Sequence, residues 1–130
     1  MATLEPFATV KGTLDFKMQG QVPAGLRLDA HFAGTVTSDH WEGEIPVSGI
    51  DYVTVRGDGI AELFIRASMG EGEDIVSYEA NGRQTPDGII ETLYFQTASE
   101  KFSHLNGAVG VATGSVDGQE LTLEISLVKH

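Results

Sequence analysis

There is no cysteine among the 130 residues. That excludes disulfide frameworks, thiolate nucleophiles, cysteine-ligated zinc and iron–sulfur clusters together. Basic residues are scarce. Lys and Arg number 8 against 19 Asp and Glu, a net charge of −11. A chain this acidic repels phosphate backbones and anionic lipid, so no nucleic-acid or membrane partner is expected. No run approaches the ~18 apolar residues of a membrane helix. The start, Met1 to Phe7, has neither a basic cluster nor the apolar run of a secretory signal. A cytoplasmic protein is expected.

Helical patterning is also missing. No window of a dozen residues holds a clean 3.6-residue period, and only 98–106 suits a helical turn. In its place is alternation. Ala8, Val10, Leu14 and Phe16 oppose Thr9, Lys11, Thr13 and Asp15. Ala61, Leu63, Ile65, Ala67 and Met69 oppose Ile60, Glu62, Phe64, Arg66 and Ser68. Leu121, Leu123, Ile125 and Leu127 alternate with polar residues. Period two over eight or more residues marks a half-buried strand. Further strands are expected near 28–37, 42–47, 51–56, 74–80, 89–97 and 107–115.

Glycine supplies the punctuation, with 16 along the chain. Asp58-Gly59, Asn81-Gly82, Asp87-Gly88 and Asp117-Gly118 read as turns, because these residues tolerate positive φ. Without linkers or repeats, residues 1–130 form one domain. The fold class is all-β: an antiparallel closed barrel of about 8–10 strands with little or no helix. Closure removes exposed strand edges.

The ordered set Gly49-Ile50-Asp51-Tyr52, Arg56 to Leu63, Tyr78 to Arg83, Tyr94-Phe95-Gln96-Thr97, Phe102 and Leu105-Asn106 resembles the DUF3237 (UPF0311) family. The resemblance runs from about Leu4 to Val128. It implies a small all-β barrel that associates into a homo-oligomer. Tyr52 stands where the family usually has Trp, and Lys101 where it has Arg.

Chemistry-bearing patterns are few. No phosphate loop opens a helix, and no nucleophile elbow occurs. His31, His40, His104 and His130 make no local ligand pair. Glu71, Glu73 and Asp74 lack calcium-loop spacing. No metal and no cofactor are expected.

What remains is polar residues among apolar ones. Asp51 sits near Tyr78, Tyr94 and Phe95 if it points inward, where apolar surroundings raise a carboxyl pKa. It otherwise makes a turn after Gly49. Glu62 and Arg66 share a face with Ile60 and Phe64, pointing either into the barrel or out to solvent. Asn106, His104 and Lys101 lie on the connection before a strand whose one face, Ala108, Gly110, Ala112 and Gly114, has almost no side chain. That face either lets neighbours approach closely or leaves a gap for a ligand. Asn106 either caps the exit of the helical turn or meets a ligand. Trp41 plugs a barrel end, lines a pocket or meets another subunit.

Two functions fit. One is a barrel binding a small apolar or aromatic ligand, with a cofactor-free isomerase, cyclase or lyase acting by proton transfer as its catalytic form. Asp51 and Glu62 are then the catalytic candidates, with Tyr78, Asn106, Arg66, His104 and Tyr94 binding ligand. The other is a filled barrel serving as an interaction module. Asp51, Tyr78 and Asn106 are expected to converge on one cavity in the first case.

Overall fold

The computed structural model describes all residues from Met1 to His130. Eight antiparallel strands close into a barrel in chain order: β1 (Thr3–Val22), β2 (Gly25–Thr37), β3 (Ile45–Val55), β4 (Ala61–Met69), β5 (Val76–Thr85), β6 (Gly88–Thr97), β7 (Val109–Asp117) and β8 (Glu120–Lys129). Pairing of β1 with β8, from Thr3↔Lys129 to Thr13↔Glu120, shuts the sheet. Two short 3₁₀ turns, η1 (Gly72–Asp74) and η2 (Ser103–Gly107), are the only helical pieces.

The strands expected near 42–47 and 51–56 are one. Gly49 does not break β3; it lies opposite Ala67, where an added Cβ would come within 2.5 Å of the Ala67 Cβ. It is there for close packing across the lumen face rather than for a turn. Asn81-Gly82 is likewise not a turn but the middle of β5. The other Asp-Gly pairs do turn, with Gly59 at φ 87° and Gly118 at φ 63°.

Alternation sets the core. Ala61, Leu63, Ile65, Ala67 and Met69 of β4 point inward and are buried, as are Leu121, Leu123, Ile125 and Leu127 of β8. The lumen has two halves. The end carrying the β2–β3 and β6–β7 connections is filled by rings: Trp41 packs edge-on against Phe7 and Phe102, each at 5.7 Å between centroids. Phe7 also meets Phe95 edge-on at 6.3 Å. The small-residue face of β7 serves this packing: an added Cβ on Gly110 would lie 3.3 Å from the Phe95 ring. Trp41 therefore acts as a plug, and the small face admits an aromatic side chain. The other half, toward the β1–β2, β3–β4, β5–β6 and β7–β8 hairpins, stays open.

Candidate functional site: an acidic lumen

The open half holds a cavity of about 160 Å³. Of its 17 lining residues, Asp51, Gln84, Glu91 and Tyr78 bring polar groups, and none is basic. The rest is apolar wall, including Phe16, Phe32, Ile65, Ile89 and Leu123.

Each polar group arrives there by strand phase. On β3, Val47, Asp51 and Val53 share the inward face. Asp51 pairs with Ala30 of β2 and Ile65 of β4, and its Oδ1 accepts the Phe64 backbone N–H at 3.2 Å. Tyr78 of β5 lies opposite Ala67 and Phe95, and only 4% of it is exposed. Glu91 of β6 occupies the inward face formed by Ile89, Leu93 and Phe95, and it is 5% exposed. Its cross-strand partner is Gly82. An added Cβ on Gly82 would fall 2.8 Å from the Glu91 Cγ and 2.1 Å from the Ile90 carbonyl oxygen. The glycine thus leaves the space that the Glu91 stem occupies.

Burial governs the electrostatics. Loss of water pushes the Asp51 carboxyl up to about 7, while the Phe64 N–H pulls it down. Loss of water, with the Asp51 charge adding to it, pushes Glu91 up to about 8. Tyr78 rises from its ordinary phenol range, first through burial, then through the charges of Glu91 and Asp51. The charge effect must be mutual, so the carboxyls titrate as a pair. No protein group donates a hydrogen bond to Glu91, and none pairs with the Tyr78 hydroxyl. Both atoms are left to face the lumen.

The remaining sequence candidates lie elsewhere. Glu62 and Arg66 are on the outer face with Phe64, because β4 turns Leu63 and Ile65 inward. Glu62 lies 3.7 Å from Arg56, and Arg66 lies 3.6 Å from Glu79. Tyr94 is 53% exposed on the outside of β6. His104 is exposed on η2. Asn106 does not join Asp51 and Tyr78. Its Oδ1 accepts the Thr97 N–H at 2.8 Å, and its Nδ2 donates to the Thr97 carbonyl at 3.0 Å, clamping η2 to the end of β6. These five side chains do not line the cavity, because strand phase or the η2 clamp turns them away from it.

Glu91 and Gln84 are the lumen groups that sequence reasoning missed. A signal for Glu91 exists: in Ile89-x-Glu91-x-Leu93-x-Phe95 it is the one charge on an otherwise apolar alternating face.

No protein-family model matches the chain, and no curated protein does. Solved structures do. A β-barrel-like protein from Acinetobacter baumannii superposes with a TM-score of 0.87 at 21% identity, covering 99% of this chain and 97% of the other. A protein of unknown function from Clostridium acetobutylicum gives 0.88 at 22% identity, covering 99% and 100%. An enzyme from Penicillium herquei gives 0.74 at 16% identity, covering 98% and 95%. At these identities the likeness establishes the fold alone.

Proposed function

We propose that the protein is a small-molecule-binding barrel that moves a proton within its lumen without a cofactor. The observation that carries this reading is the placing of two carboxyl groups and a phenol in an apolar cavity with no basic residue. Structural ion pairs do not explain them, since none has a cationic partner. A filled interaction module would have closed this half as the aromatic plug closes the other. That the Penicillium herquei neighbour is an enzyme supports catalysis on such a scaffold. The DUF3237 resemblance remains part of the same reading.

The two carboxyls divide the work. Asp51 accepts a backbone N–H, which favours its ionised form, and it is the base. Glu91 has no such donor and keeps its proton longer, so it is the acid. Tyr78 stays protonated and donates. A pKa near the working pH suits a group that must both take and release a proton. A cavity of ~150 Å³ holds a benzene ring, which sets the scale of the ligand part enclosed.

The test is methyl NMR with small uncharged aromatics such as 1-indanone. Shifts are expected at Ile65, Ile89 and Leu123 and not at Val36 or Leu105 in the filled half. Leu28→Trp, at the half-buried mouth, should weaken binding about tenfold or more. Shifts confined to the filled half or the outer surface would overturn the reading.

A further inference from the structure

The groups around the lumen also restrict the substrate, on the footing of the reading just given. Nothing in the cavity wall carries positive charge, and two wall residues are acids. An anionic ligand would lose its water and meet no counter-ion, a loss that hydrogen bonds alone do not recover. Phosphates and carboxylates are therefore poor candidates. The unpartnered groups are donors: the Tyr78 hydroxyl and the protonated Glu91 carboxyl. They ask for an acceptor oxygen. The free oxygen of Asp51, whose other oxygen is held by the Phe64 N–H, is the acceptor for a proton.

We infer that the substrate is an uncharged, largely apolar carbonyl compound with a hydrogen on the carbon next to the carbonyl. Its oxygen accepts from Tyr78 and Glu91, and Asp51 faces the adjacent C–H. The step is an enolisation. The Asp51 carboxylate takes the proton; the C–H electron pair becomes the C=C bond; the carbonyl π pair moves onto oxygen. That oxygen carries negative charge, held by the two donors. Return of the proton from Asp51 to the same carbon gives exchange with solvent, and to a conjugated carbon gives an isomer. No oxidant, reductant or second substrate enters the balance.

The experiment needs no knowledge of the natural substrate. 1-Indanone has one such carbon, and its deuterium uptake in D2O is followed by proton NMR. The protein should accelerate uptake about 10²-fold over buffer at the same pD. Asp51→Asn, of the same size and uncharged, should remove the acceleration while the Ile65 and Leu123 methyls still report ketone binding. Tyr78→Phe should lower the rate about tenfold, leaving the Glu91 donor and the Asp51 base in place. The shape-matched anion indane-1-carboxylate should bind about tenfold or more weakly than the ketone at neutral pH.

Ketone binding without faster exchange overturns the substrate class and leaves the binding lumen standing. Equal or tighter binding of the carboxylate overturns it also. Exchange that survives in Asp51→Asn overturns the role of Asp51. Absence of any lumen binding by ketone and carboxylate alike overturns the ligand-site reading, and this inference with it.

Discussion

At the scale of single residues, the lumen carboxyls make the most exacting predictions. Carbon-13 NMR of the side-chain carboxyls should show the Asp51 and Glu91 pair titrating with apparent values near 7 and 8. Asp51→Asn should lower the Glu91 value, because the Asp51 charge is one of the two causes that raise it. The same groups set a pH dependence of stability. Folded-state values above the unfolded ones mean that the native protein binds more protons between about pH 4 and 8. Stability therefore falls as pH rises across that window and levels off above it. The double variant Asp51→Asn, Glu91→Gln should lack this fall. Its Tm should exceed that of the parent at pH 8.5 and come close to it at pH 4, as read by thermal unfolding at both pH values.

At the scale of elements, strand phase decides which polar residues face the lumen, and here the sequence was legible in part. Period two separates the two faces of β1, β4 and β8, and on β4 the structure buries the unbroken apolar set of Leu63, Ile65 and Ala67. The sequence leaves that choice open, because Ile60 and Phe64 share the face of Glu62 and Arg66. Asp51 was harder: Gly49 mimics a turn, and only the close approach of Ala67 shows why the strand runs through it. Asn81-Gly82 mimics a hairpin for a related reason, a glycine kept for space rather than for φ. Gly82→Ala is expected to push β6 and the Glu91 stem aside, costing a few kcal/mol as overpacking does. It should also alter the Glu91 titration; denaturant unfolding and NMR check the two effects. Asn106 in the sequence fits a ligand group as well as a local cap, since its motif is polar beside apolar residues, and the structure makes it a local clamp. Asn106→Ala should cost about 1–2 kcal/mol in denaturant unfolding. Binding of 1-indanone should be unchanged.

At the scale of the whole molecule, the barrel combines a plugged half with an open one. The plug is dense with rings at the Trp41 end, and the open half carries the two lumen acids. Barrel closure was legible from evenly spaced strands without helices. The division into two halves was not, because it depends on which rings meet across the lumen, contacts between residues as distant as Phe7 and Phe95. The formal net charge of −11 adds a separate expectation: a generic DNA duplex should show no measurable binding at physiological salt in fluorescence anisotropy.

On the proposed reading, the acidic lumen receives a small uncharged molecule against Asp51, Tyr78 and Glu91. A crystal structure of the protein grown with 1-indanone tests it most directly. Ligand density is expected in the open half, with the carbonyl oxygen within hydrogen-bonding distance of the Tyr78 hydroxyl and the Glu91 carboxyl. Density for the ketone elsewhere, with the lumen occupied by repacked side chains, would contradict it.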